Sequence, residues 1–501
     1  MQEKLDQLKA HMARISDLLS AASVLGWDQR TYMPPGGAQA RADQVATLSG
    51  LAHEFYVDES LGRLLEELEP YLSELDYDSD EASLIRVTRR RYERRTRIPT
   101  ELVVELSRTT ALARQAWSEA REKDDFGFFE PHLSRVVELR IRWAECFAPY
   151  ENIYDPLLDY FEPGLDYAQI RAVFDGLKPE LIALVRAITE NRDAVDASVL
   201  DKPVPEEAQI AFSRDVSAAL GYDYRRGRLD LSAHPFTTSF SPDDVRITTR
   251  IDPGNPIKAL MSTIHETGHG LHGQNMSPSL YRTGLTQGPS MVVSESQSRF
   301  YENVIGRSRP FWRHFYPRLQ RAFAPHFDGV EMEAFYRALN KSEPSLIRTA
   351  ADEVTYGLHI ILRFELENDL LNGRVRVADL PEVWNARMEE YLGVVPPTDR
   401  EGVLQDIHWS QGSFGYFPDY LLGSVFAVQL WEQMKKDLPG VLSEIERGEF
   451  GNVLAWQVEH IQKHGRKFTL PELAERATGG PLRPEPYMDY LREKYGELYG
   501  L

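Results

Sequence analysis

The sequence predicts a mostly α-helical globular protein with one small β-hairpin, and three observations carry that expectation. Stretches such as "ASLIRVTRRRYERRTRIP", "ELVVELSRTTALARQAWSEAREK" and "LSRVVELRIRWAECFAPYENIY" place apolar residues at helical spacing with charges between them. Hydrophobic and charged shares of 42% and 27% exclude a disordered or membrane-embedded chain. One segment departs from the helical pattern: in "HPFTTSFSPDDVRITTRID", Val245, Ile247 and Thr249 alternate with Arg246, Thr248 and Arg250. Ser-Pro-Asp-Asp supplies the turn, so a hairpin is expected there.

The opening stretch, "MQEKLDQLKAHMARISDLLSAASVLGWDQ", mixes both charge signs around Leu5, Leu8, Met12, Ile15, Leu18 and Leu19. That pattern reads as a helix of the mature protein and not as a signal peptide. The basic cluster "RVTRRRYERRTR" reads as a solvated helix face in an otherwise acidic chain. The single cysteine, Cys146, has no intrachain partner and reads as core filler, which fits a reducing cytoplasm. The Pro-rich spots "YMPPGGAQ" and "RPEPYM" read as turns, and no repeat or Gly/Ser linker divides the chain. A net charge of -20 excludes nucleic acid and anionic membrane as favoured partners. Apolar runs such as "YLLGSVFAVQLW" fall short of the roughly 20 residues that cross a bilayer.

Immediately after the hairpin comes "MSTIHETGHGLHGQ", which contains His-Glu-x-x-His. Its helix has a legible start, because Asn255 is a good N-cap and Pro256 suits the first helical position. Ile257, Leu260, Met261, Ile264 and Leu271 mark the apolar side. His265 and His269, one turn apart, project from its border, where two ring nitrogens can reach one ion. Glu266 is rotated by about 100° from His265, so it flanks the ion as a base for the attacking water.

The motif also arises by chance, so a third ligand is needed. A metzincin would have Gly and His where His272 and Asn275 stand, which excludes that class. His272 lies on the same face, but three histidines on one straight helix span about 10 Å, and Gly270 and Gly273 suggest fraying. Glu295, in "MVVSESQSRFYENVIGR", begins a second amphipathic stretch that can return a carboxylate to the ion. Glu302, two turns further along, is its rival.

With Glu295 the sequence resembles the M32 family of metallocarboxypeptidases, the carboxypeptidase Taq type. The likeness runs from "LGWDQRTYMPPGGAQARADQ" through "HPF", "DVRIT", "HETGH" and "ESQSR" to "IRTAAD" and "GVLQDIHW". It implies a helical, zincin-like architecture in which one catalytic domain, 1–501, has two lobes flanking a central cleft. The expected metal ligands are His265, His269 and Glu295, with Glu266 as base and one divalent ion per chain, zinc first and cobalt second. The expected activity is release of single residues from peptide C-termini by a cytoplasmic homodimer. One departure is visible: the family often has His before the glutamate ligand, where Ser294 stands here.

In "DIHWSQGSFGYFPDYLLG" the order of His408, a Gly-containing loop and Tyr420 is similar to that of helical oligopeptidases, where such side chains donate to the oxyanion. Tyr416 is an alternative donor, and the bland reading makes His408 and Tyr420 ordinary buried polar residues. A free substrate carboxylate suits the planar fork of Arg. Arg348 is the first candidate, as the start of a stripe with Asp352, Thr355 and His359 along one helix, or else as a structural partner of Asp352. Arg246 on the hairpin is the second, and the hairpin itself can pair with an extended substrate. His234 is expected near the site without an assigned role. An oligopeptidase cutting internal bonds and a helical scaffold with a vestigial motif are the competing functions.

Overall fold

The computed structural model describes residues 1–286 and 290–501. Among them are twenty α-helices and one three-stranded sheet, so the chain is mostly helical as its periodicity predicts. No described helix is long and apolar enough to cross a membrane. The chain divides into two compact units. The first comprises Met1–Thr96, Ala197–Leu339 and Leu430–Gly480; the second comprises Arg97–Asp196, Asn340–Gln429 and Pro481–Leu501.

In the first unit, helix α1 (Gln2–Thr31) buries Leu5, Leu8, Met12 and Ile15 in a cluster with Tyr56, Leu61, Leu65 and Leu84. The sheet consists of β1 (Gly227–Leu231), β2 (Thr237–Ser241) and β3 (Asp244–Thr249) in the order β1-β3-β2. Strands β2 and β3 form the expected antiparallel hairpin, with an irregularity between Ser239 and Ser241. Strand β1, which the sequence reading did not include, adds in parallel to the other side of β3. The middle strand is therefore β3, and an added chain can pair only with an outer one.

Alternation along β3 buries Val245 and Ile247 completely beneath helix α2 (Pro256–Asn275). That helix starts as predicted, with Asn255 Oδ1 accepting the Ile257 N–H at 3.1 Å. Gly270 and Gly273 do not fray it. A Cβ at Gly270 would stand 2.8 Å from the Tyr222 ring, and one at Gly273 would stand 3.1 Å from Val245, so these glycines let the helix lie directly on the sheet. A third close approach sets the next helix, α3 (Met291–Arg299), against α2. A Cβ at Gly268 would fall 2.4 Å from the Gln297 carbonyl oxygen and 2.7 Å from Ser298 Cα. Helix α3 runs on into a π-helical turn, Phe300–Ile305.

In the second unit, helix α4 (Thr355–Leu371) starts later than the predicted stripe. Asp352 accepts the N–H groups of Val354 (2.9 Å) and Thr355 (3.1 Å), which fixes the helix start behind it. Arg348 consequently sits on a separate 3-10 turn, Arg348–Ala350. Cys146 is also placed differently from expectation. It ends the helix Phe126–Glu145 and is only half-buried, so it is not core filler.

Candidate active site

Helix α2 presents His265 and His269 side by side, with ring centroids 5.0 Å apart. Glu295 on α3 faces both: its Oε2 is 3.9 Å from His265 Nε2 and 3.6 Å from His269 Nε2. These three side chains offer donor atoms that all lie within 4.8 Å of one another. Two imidazole nitrogens and one carboxylate form a donor set that fits a divalent cation and leaves a coordination position for water or substrate.

The supporting groups are specific. Glu302, on the π-helical turn, accepts from His265 Nδ1 at 2.8 Å, so the rival carboxylate stands behind that ring instead of joining the group. Arg299 ties the two acids together, with Nε donating to Glu295 Oε1 at 2.9 Å and a terminal nitrogen donating to Glu302 Oε2 at 3.3 Å. Ser294 Oγ lies 3.1 Å from His269 Nδ1, at the position where the sequence departs from the family pattern. Thr237, at the start of β2, donates to Glu266 Oε2 at 2.6 Å, which leaves Oε1 as the oxygen free to take a proton.

Electrostatics separates the two rings. Burial opposes charge on His265, but the carboxylates of Glu295 and Glu302 outweigh it and lift the ring to about 9. On His269 burial prevails, joined by the charge of His265, and pulls that ring down to about 3. Burial also works against ionisation of Glu302, yet the hydrogen bond from His265 and the charge of Arg299 hold it at about 2. Burial raises Glu266 above the ordinary carboxyl range.

His272 is buried on α2 outside the three-residue group, and its Nε2 has no hydrogen-bond partner among the described residues. Burial lowers its ring to about 4. His234 is exposed in the link that leads into β2, three residues before Thr237. Arg246 lies on β3 between buried Val245 and Ile247, so it occupies the opposite sheet face. There it stacks over Trp27 at 4.3 Å and meets Asp244 at 2.8 Å.

The second unit holds the remaining candidates. His408 Nε2 and the Tyr420 hydroxyl lie 3.4 Å apart, and the Tyr416 and Tyr420 rings are 5.3 Å apart, so the structure gathers these three. Arg348 is not paired with Asp352. Its Nε and a terminal nitrogen both donate to Asp406 Oδ1, at 3.0 and 2.7 Å, and the other terminal nitrogen donates to the Tyr356 hydroxyl. Asp406 Oδ2 accepts from Arg363 Nε at 2.7 Å, and the Arg363 side chain is 0% exposed, so one carboxylate compensates two guanidiniums. Buried Glu367 accepts from Tyr154, from Trp409 Nε1 at 2.8 Å and from the Gly415 N–H at 2.7 Å, which fastens the loop between His408 and Tyr420.

Sequence reasoning missed Thr237, Arg299 and Asp406. Arg299 carried a signal, since it stands four residues after Glu295 on the same helix. Thr237 and Asp406 carried none, because each meets its partner only through the fold.

The chain is 39% identical over 488 residues to Carboxypeptidase 1 of Bacillus subtilis, covering 97% of both chains. It is 41% identical over 492 residues to Thermostable carboxypeptidase 1 of Thermus thermophilus, covering 96% of both. Its structure is similar to the crystal structure of M32 carboxypeptidase from Deinococcus radiodurans R1, with a TM-score of 0.97, 39% identity and 100% of each chain covered. The sequence profile described as Carboxypeptidase Taq (M32) metallopeptidase matches residues 7–495, and the chain belongs to that family.

Proposed function

We infer that the protein is a metal-dependent carboxypeptidase that releases single amino acids, with broad specificity, from the C-termini of short unfolded peptides. The observation that carries this reading is the convergence of His265, His269 and Glu295 with Glu266 one residue from the first ligand. Zinc is the proposed ion, since two neutral imidazole nitrogens and a carboxylate are among its usual donors. Bound there, a divalent ion supplies Lewis-acid activation of the scissile carbonyl and of the attacking water. Glu266 receives the water's proton on Oε1 while Thr237 holds Oε2, and it then delivers that proton to the leaving amine. We assign oxyanion donation to His408 and Tyr420, with Tyr416 as the alternative, on their order in the sequence and their mutual proximity. Arg348 is the proposed reader of the terminal carboxylate, because it shares the single carboxylate of Asp406 with Arg363 and the cluster keeps a net positive charge, and Arg246, paired with Asp244, is the alternative. His234 is proposed as a substrate contact from its place before Thr237. The same reading takes 1–501 as one catalytic domain, acting as a homodimer in the cytoplasm, and the single cysteine supports that compartment.

Time-resolved digestion of a mixed peptide set tests the activity. Stepwise loss of single C-terminal residues is expected, abolished by a chelator and absent from C-terminally amidated peptides. Internal fragments would replace the reading with an oligopeptidase, and equal cleavage of the amides would remove any arginine reader of the terminus. Thr237→Val is expected to lower kcat about tenfold or more with metal content unchanged, because a hydrogen bond to a charged group contributes about 1.5–3 kcal/mol. Unchanged turnover would remove Thr237 from the positioning of Glu266.

A further inference from the structure

The loop from His408 to Tyr420 shapes itself by short-range bonds. The N–H groups of Gly412, Ser413 and Phe414 donate to the carbonyls of Trp409, His408 and Gly412 at 3.0, 2.9 and 2.9 Å. Bonds of that reach set the curve of the loop but not its place against the rest of the second unit. Glu367 on α4, 0% exposed, reaches it from outside. Its Oε1 accepts at 2.8 Å from Trp409 Nε1, on the residue after His408, and its Oε2 accepts at 2.7 Å from the N–H of Gly415, the residue before Tyr416. Oε2 also accepts from the hydroxyl of Tyr154, which precedes the helix Asp155–Phe161. That helix lies against the same loop. A Cβ at Gly415, where φ is +91°, would stand 2.6 Å from the Leu157 carbonyl oxygen, and the Phe161 and Tyr416 rings meet edge-on at 5.1 Å. One carboxylate thus joins two helices to both ends of the loop.

We propose that Glu367 is a positioning residue for the reaction: by accepting from Trp409 and Gly415 together, it holds His408 and Tyr420 where oxyanion donors must stand. All three of its partners donate, so the position calls for a group that accepts on both oxygens. An amide has only one oxygen. Whichever way it is turned, its NH2 faces either the Trp409 N–H or the Gly415 N–H, so Glu367→Gln sets donor against donor at one end of the loop while keeping the shape of the side chain. Oxyanion donation acts in the transition state, so a loop set askew lowers kcat and leaves substrate binding alone. This inference rests on the reading of His408 and Tyr420 as the oxyanion donors.

The test is peptide turnover, metal content and amide hydrogen exchange of the full chain carrying Glu367→Gln. We expect kcat to fall about tenfold to a hundredfold, the scale of a misplacement of about 1 Å, with KM within about threefold and metal content unchanged. Amides of 409–417 should exchange about tenfold faster or more, while those of α4 keep their protection. The same substitution is then made in the double variant His408→Ala/Tyr420→Phe. A residue that acts through those side chains has little left to lose there, so kcat should change by less than about threefold in that background. A further loss as large as in the unaltered chain, or exchange that rises throughout the second unit, would overturn the inference and leave Glu367 a stabilising group only. An unchanged kcat on Glu367→Gln alone would overturn it too. Full turnover in the double variant is the distinct result that overturns the assignment of the oxyanion donors, and this inference with it.

Discussion

Glu266→Gln is expected to lower kcat/KM by roughly a hundred- to ten-thousand-fold, the range that a positioned general base contributes. Metal content should not change, because Glu266 is not among the three converging side chains and an amide keeps the shape that Thr237 holds. Elemental analysis beside peptide turnover reads both effects. Lost metal in the variant would show that Glu266 supports the ion and not the proton transfer, and undiminished turnover would require another base. The buried position of Glu266, 6% exposed, makes the loss steep, since little solvent is at hand to take over the proton.

Asp406→Ala is expected to destabilise the second unit by about 3–5 kcal/mol, the usual cost of stranding buried charge by removing one partner. Two guanidiniums lose their counter-ion together, and Arg363 is wholly enclosed. A fall in urea midpoint reads the effect; a change below about 1 kcal/mol would mean that other groups compensate both arginines. The pH dependence has a definite sign. Burial opposes ionisation of Asp406, but the charges of Arg363 and Arg348 outweigh it and hold the carboxyl well below the usual range. Its stabilisation is therefore complete above the ordinary carboxyl value and is lost as pH falls toward its folded value in strong acid. Neutral to mildly acidic solution should leave this cluster intact, and Asp406→Ala should flatten the strong-acid loss.

Local pattern made much of the fold and the metal centre legible. The four-residue histidine spacing, the Asn255 cap and the alternation through Val245 and Ile247 are properties of neighbouring residues, and the structure has each of them. What escaped depends on distant partners. Strand β1 is five residues long with charged Arg228 and Asp230, too short and too polar to declare itself before β3 is there to pair with it. Gly270 and Gly273 read as weak helix formers in isolation, and only the sheet beneath them reveals their use. Arg348 stands four residues before Asp352, yet its carboxylate comes from 58 residues away at Asp406, since Asp352 is occupied in starting α4. Glu302 differs again: its place near the three converging side chains was legible, but only side-chain geometry sets it behind His265 and outside that group.

The contact at Gly268 carries a lesson for recognising such centres and for transplanting them. With the Gln297 carbonyl 2.4 Å from where a Cβ would be, even alanine would force the backbone at Gln297 and Ser298 to move, on the helix that carries Glu295. A search or a graft that treats the residue before the second histidine as a wildcard would therefore admit scaffolds whose two helices cannot approach this closely.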